Sequence, residues 1–297
     1  MVPYSNVSVP IEISYLDKLF QLLNYNSTLS FVISSLLIFF SALVFNNICL
    51  KHQLIFIPSY LPAYFFVLLN SLFVDQFYAG PVLFVNLFII LSLGEILKLY
   101  KANNPTISIF IASLLAGVSS LLNISYLAFF IFVIIGINVF RPFSIKDNLA
   151  GFIGFLMPLY IGTMINFLIN DTYLPFRLFY PDYGKINIQN WALISALPAF
   201  FMVGLFAVVR MYQNFFRNTT KAKRAIQMLL ILLVISVILM ITGKQNPRQE
   251  FSFVALPLAV YYSYYFSNFK FNLLKEIINL MLILTVLFFQ YRVFFEF

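Results

Sequence analysis

Nine or ten hydrophobic stretches, each long enough to cross a bilayer, follow one another from about Thr28 to Phe289 with little chain between them. A spanning helix needs roughly 20 predominantly apolar residues. With 62% hydrophobic and 9% charged residues in 297, the chain has too little polar surface to cover a water-soluble globule. The sequence therefore predicts a polytopic membrane protein, which settles its solvent before its chemistry.

The stretches are Thr28 to Leu50, Phe56 to Val74, Pro81 to Tyr100, a long run from Ile107 to Phe140 broken near Asn123, Leu149 to Ile169, Trp191 to Arg210, Ala225 to Thr242, Phe251 to Phe266 and Phe271 to Phe289. Such continuous runs point to helices, because a membrane strand alternates with period two over about ten residues. A helix also pairs every backbone amide within one segment, as lipid requires. The expected fold class is all-α: a transmembrane helix bundle of about ten spans, forming one membrane domain over residues 28–297 without a soluble domain.

Orientation follows from the basic residues. Alternate loops place twelve of the 18 Lys and Arg on one side with three acids, a balance of +9, and six with seven acids on the other, a balance of −1. The first side is expected to be cytoplasmic, which puts both termini outside and the chain in the inner membrane as a multi-pass protein. Lys101 and Arg141 must then share a side, so an even number of crossings separates them. A tight hairpin at Asn123 and a re-entrant pair both satisfy this.

The net charge of +8 is spread over cytoplasmic loops and is no footprint for nucleic acid. Its densest cluster, Arg217 with Lys221, Lys223 and Arg224, serves as a positive-inside anchor or holds anionic lipid headgroups. A single cysteine, Cys49, excludes an intrachain disulfide, and a single histidine, His52, makes a zinc site unlike those zinc accepts, so no metal is expected. The first 27 residues are polar and the first apolar run is too long for a signal h-region, so no cleavable signal peptide is expected. In this external tail Ile13, Leu16, Phe20 and Leu23 recur at helical spacing, which suits a short amphipathic helix lying in the membrane interface or packing on the bundle.

Intramembrane charges are sparse. Glu95 sits near the cytoplasmic end of its span, where Lys98 meets it one turn on. The outer loops are richer. Asp75 opens the connection Asp75-Gln-Phe-Tyr-Ala-Gly-Pro81, a loop from Asp171 to Asn190 mixes charges with aromatics, and Gly243-Lys-Gln-Asn-Pro-Arg-Gln-Glu250 joins two spans. Lys244 and Arg248 suit a clamp on a phosphate at headgroup level, Arg248 by bidentate bonds and Lys244 as a point charge. A carboxylate such as Asp75 suits a general base for a sugar hydroxyl.

From Asn86 to Pro158 the chain carries Asn86-Leu-Phe-Ile-Ile-Leu, Phe110-Ile-Ala-Ser-Leu-Leu-Ala-Gly117, Phe140-Arg-Pro-Phe143, Gly151-Phe-Ile-Gly154 and Met157-Pro158. This pattern resembles an uncharacterised family of bacterial polytopic membrane proteins. More distantly it is similar to C-type (GT-C) membrane glycosyltransferases, which use polyprenyl-phosphate sugars. In those enzymes a lysine and, a few residues on, an arginine lead into a helix containing Leu-Pro; Lys244, Arg248 and Leu256-Pro257 stand in the matching places. The acid those enzymes carry in their first outer loop would correspond to Glu12 or Asp17, here in the contexts Ile-Glu-Ile and Leu-Asp-Lys rather than in a paired-acid motif.

Two functional expectations follow. In the first, the protein transfers sugars from polyprenyl-phosphate donors at the outer face, with Asp17 or Asp75 as base and Lys244 and Arg248 on the lipid phosphate. In the second, it is a non-catalytic membrane component, either an assembly partner or a lipid or solute transporter, which meets membrane lipids and a membrane protein partner. No cofactor is indicated by either.

Overall fold

The structure is a computed structural model that describes residues 20, 24, 27–55, 58–100, 102–170, 204, 206–209, 211, 220–242, 247–267 and 272–295. Among the described residues the fold is all-helical. The helices are α1 (Ser27–Lys51), α2 (Leu61–Asn70), α3 (Pro81–Lys98), α4 (Pro105–Leu122), α5 (Ala128–Phe140), α6 (Ile145–Asn170), α7 (Thr220–Thr242), α8 (Pro247–Ser267) and α9 (Asn272–Phe295). Short 3-10 turns at Val74–Phe77 and Ile124–Leu127 link α2 to α3 and α4 to α5. Five helices are long and apolar enough to cross a membrane: α1, α3, α4, α6 and α7.

Proline sets several of the starts. Pro81, Pro105 and Pro247 each open a helix, where the missing N–H costs nothing and the fixed φ suits the first turn. Proline also explains the largest departure from the apolar pattern. The run Phe56 to Val74 yields a helix of only 10 residues, starting beyond Pro58 with Pro62 in its first turn. At its far end Asn70 and Ser71 turn their side chains back onto the carbonyls of Phe66 and Leu68, both at 2.8 Å. Side chains of this kind compete with helix continuation, and the chain passes instead into the Val74 turn.

The long run Ile107 to Phe140 breaks where expected. Asn123 is extended, and its side chain accepts the Ser125 N–H at 2.9 Å, capping the 3-10 turn. The two limbs return to the same end, because Arg141 donates from Nη1 to the Ala102 carbonyl at 3.1 Å. The α5 limb has 13 residues, which rise only about 20 Å at ~1.5 Å each.

Helices α4 and α6 approach one another closely. A Cβ on Gly117 would lie 2.5 Å from the Phe155 carbonyl oxygen, and one on Gly154 would lie 2.7 Å from that of Phe110. Only glycine lets these two backbones touch. In lipid, where the apolar phase offers no drive for helices to associate, such close van der Waals contact is what holds them together. The outward side of α6 shows Leu149, Phe152, Ile153, Leu156 and Tyr160 exposed.

Helix α8 occupies the centre. Every residue from Glu250 to Tyr264 is buried, and the helix packs against α2, α3 and α7. A helix apolar on all sides belongs in the interior. Phe65 stacks on Tyr262 at 5.5 Å, Phe73 meets Phe251 edge-on at 5.4 Å, and Tyr126 meets Phe253 edge-on at 5.3 Å. These rings fill the space between α8 and its neighbours. Helix α9 docks through Tyr64, whose hydroxyl bonds Asn279 Oδ1 at 2.8 Å, and through Gln290, which donates to the Ser71 carbonyl at 2.7 Å.

Of the tail, Phe20 and Asn24 are described. The Phe20 ring lies 5.8 Å from that of Phe84, and Asn24 donates to the Ala79 carbonyl at 3.1 Å, so both residues pack on the bundle. The remainder of the expected tail helix and most of the stretch Trp191 to Arg210 lie outside the described residues.

Candidate functional site

The helices run back and forth between two ends of different chemistry. One end is basic. There Lys98 pairs with Glu95 as the spacing predicts, and Arg141 Nε lies 3.2 Å from Asp147 Oδ2. Among the described residues, the other end collects amides, carboxylates and Arg248. Its parts are the C-terminus of α2, the Val74 turn, the start of α3 and the first turn of α8.

This second end is built from the turn upward. Ser30 on α1 accepts the Ala79 N–H at 2.9 Å and donates to Asn24 Oδ1 at 2.5 Å, which fixes the stretch after the Val74 turn. Gln76 is buried and donates from Nε2 to the carbonyls of Arg248 and Gln249, at 2.6 and 2.9 Å. Gln249 returns a bond from its Nε2 to the Asp75 carbonyl at 3.3 Å. The turn and the α8 N-terminus are thus laced together in both directions.

On this frame Arg248 Nη1 stands 3.3 Å from Asp75 Oδ2. The side chains are 32% and 29% exposed, so the pair is open to a ligand. Of the four residues singled out for chemistry, the structure joins these two, one from the Val74 turn and one from the first turn of α8, 173 residues apart. Asp17 and Lys244 lie outside the described residues, as does Glu12.

Beneath the pair runs a buried polar chain. Asn86 on α3 donates to Ser252 Oγ at 2.5 Å, and Ser252 donates to Asn70 Oδ1 at 2.5 Å. Asn86 Oδ1 receives no hydrogen bond. Glu250 is 0% exposed, and neither of its carboxylate oxygens has a hydrogen-bond partner. Oxygens buried without a donor are costly.

Glu250 departs from the sequence expectation. The sequence places it at the end of a connection between two spans; the structure starts α8 at Pro247 and carries Glu250 inside. The signal was the proline, which opens the helix at Pro247, four residues ahead of the expected Phe251, and turns a loop acid into a first-turn residue. The Asn70, Asn86 and Ser252 chain was missed for a related reason. These polar residues lie on three different helices, and periodicity does not say which of them meet.

Among the described residues no group of three His, Cys, Asp or Glu side chains stands close enough to hold a metal ion. Chemically the open pair offers a guanidinium for an oxyanion and a carboxylate for a proton, side by side. Comparison with protein-family models, curated proteins and solved structures finds no match to this chain.

Proposed function

We propose that the protein is a multi-pass protein of the bacterial inner membrane, with about ten spans and both termini outside, that transfers a sugar from a polyprenyl-phosphate donor at the outer face. The observation that carries this reading is the contact between Asp75 and Arg248, a candidate base and a candidate phosphate ligand in one open pair.

In the resting site the two charges satisfy one another. A lipid phosphate competes with Asp75 for the Arg248 fork, since guanidinium binds phosphate oxygens bidentately. Its arrival frees the carboxylate beside the place where the sugar is presented. An acceptor hydroxyl then attacks the anomeric carbon as the bond from that carbon to the phosphate oxygen breaks. Asp75 takes the hydroxyl proton, and Arg248 takes up the charge on the departing polyprenyl phosphate. Lys244, four residues ahead of Arg248, adds a second cation to the phosphate in this scheme, and Asp17 is the other candidate base.

The test is purification of the full chain in mild detergent with its native lipids and mass spectrometry of what accompanies it. Wild type is expected to retain a polyprenyl-phosphate species that Arg248→Ala loses and Asp75→Asn keeps. A stable protein partner, with no such lipid and no change in Arg248→Ala, overturns the transfer reading in favour of a non-catalytic membrane component.

A further inference from the structure

The basic end of the bundle carries a constellation that the transfer site does not use. Gly94 on α3 faces Ile48 on α1, where a Cβ would lie 2.9 Å from Ile48 Cδ1. This close approach sets the last turn of α1, with Lys51 and His52, against the last turn of α3, with Glu95 and Lys98. Helix α7 starts at the same level: Thr220 Oγ1 and the Tyr100 hydroxyl are 2.6 Å apart, and Arg224 lies over the Tyr100 ring at 5.8 Å while donating to the Phe140 carbonyl at 2.7 Å. Lys221, next to Thr220, is thereby brought to the end of α3.

Charge at this junction is unbalanced. Glu95 is engaged by Lys98, and Asp147 by Arg141. Neither Lys51 nor Lys221 is bridged to a carboxylate among the described residues. His52 is 5% exposed, its Nδ1 makes no hydrogen bond, and the charges of Lys221, Lys51, Lys98 and Glu95 reach it. A buried ring nitrogen without a partner beside two unbridged ammonium groups is the arrangement an anion completes.

We propose that this junction is a phosphate-binding site, in which Lys51 and Lys221 hold a phosphoryl group over His52. The ligand chemistry is a phosphate ester anion, and a site at the membrane-facing end of three helices suits a lipid headgroup. The electrostatics agree. Burial pushes the His52 pKa down to about 4, assisted by Lys221, Lys51 and Lys98 and opposed by Glu95, so the imidazole is neutral and an incoming anion meets the lysines first. An anion seated there offsets the lysine charge and moves the His52 titration upward. The site stands apart from the Asp75 and Arg248 pair, and its fate is independent of the transfer reading.

The experiment is native mass spectrometry of the full chain in detergent, titrated with phosphatidylglycerol, with phosphatidylcholine, and with inorganic phosphate in a separate arm. Wild type is expected to prefer phosphatidylglycerol, and Lys51→Gln/Lys221→Gln to bind it roughly tenfold or more weakly, the scale of two basic side chains at a charged membrane surface. A control pair, Lys146→Gln/Lys275→Gln, removes the same charge elsewhere and is expected to leave binding unchanged. Equal loss in the control pair assigns the effect to diffuse positive charge and overturns the proposal. Equal binding by wild type and Lys51→Gln/Lys221→Gln overturns it too. A response to inorganic phosphate that needs both lysines, without phosphatidylglycerol preference, keeps the phosphate site and overturns the lipid as its source.

Discussion

Arg248 Nη1 and Asp75 Oδ2 lie 3.3 Å apart across 173 residues of chain. Neither residue is held by its own loop alone. Gln76 fixes the α8 N-terminus by bonding two of its carbonyls, and Gln249 fixes the turn by bonding the Asp75 carbonyl. The pair is therefore placed by its neighbours.

That arrangement predicts a weak pair on a strong frame. In a double-mutant cycle, Arg248→Gln and Asp75→Asn are expected to couple by only about 0.5–1 kcal/mol, as half-open ion pairs do, with the coupling shrinking in high salt. Gln76→Leu orphans two carbonyl contacts and is expected to cost more, roughly 1–3 kcal/mol. Thermal unfolding in detergent measures both. A coupling well above 1 kcal/mol would mark the pair as a structural clamp rather than an exchangeable one.

Glu250 is expected to behave as a residue kept at the expense of stability. Met is somewhat larger but unbranched and adaptable, and it removes two buried oxygens without donors, so Glu250→Met should raise stability by roughly 1–3 kcal/mol. Ser252→Ala should move the other way, by about 1 kcal/mol, because it takes the donor from Asn70 Oδ1. Melting curves of the two variants side by side decide the point, and a loss of stability in Glu250→Met refutes it.

The contact between α4 and α6 tolerates no side chain. Gly117→Ala and Gly154→Ala each push a Cβ into a backbone carbonyl oxygen, and each is expected to cost about 1–3 kcal/mol by overpacking. Gly80→Ala is the control, since the nearest atoms to its Cβ lie 3.8 Å away. Its unfolding midpoint should match wild type.

The turn after α1 carries a strained position. Gln53 has φ of 53°, with its N–H on the Leu50 carbonyl and the Leu54 N–H on the Cys49 carbonyl, the double bond of a helix C-terminus that glycine fits best. Gln53→Gly is expected to stabilise the fold by about 0.5–1 kcal/mol, since a side chain in this conformation is disfavoured. A lower melting midpoint in this variant would contradict the strain.

His52 gives the fold an acid sensitivity of definite sign. Its folded pKa of about 4 lies below the ordinary 6.5, so the unfolded chain takes up the proton first. Its contribution to stability is complete above pH 6.5 and is lost as the pH falls from there through about 4. The charges that act on it are those of Lys221, Lys51, Lys98 and Glu95. The unfolding midpoint of wild type should fall between pH 6.5 and 4 more steeply than that of His52→Gln; parallel slopes would exclude the imidazole as the cause.

The helical character of the chain, most of its turning points and the Glu95–Lys98 pair were legible in the residues, because each depends on local quantities: apolar length, prolines, an Asn at a break, a one-turn spacing. Apolar length misjudged α2, where two prolines and two back-bonding side chains shorten a run of 19 residues to a helix of 10. Asp75 and Arg248 were each recognisable as chemistry-bearing, yet nothing in the order of residues says that they meet. Contact between them depends on α8 entering the centre of the bundle and on Gln76 crossing to it, and those are long-range packing decisions. The same holds for Glu250, whose burial follows from where α8 starts and what surrounds it, and for His52, whose neighbours come from three helices. A local pattern carries the solvent and the secondary structure because both act on one segment at a time; charge pairing and burial act between segments, and only the packed bundle settles which segments those are.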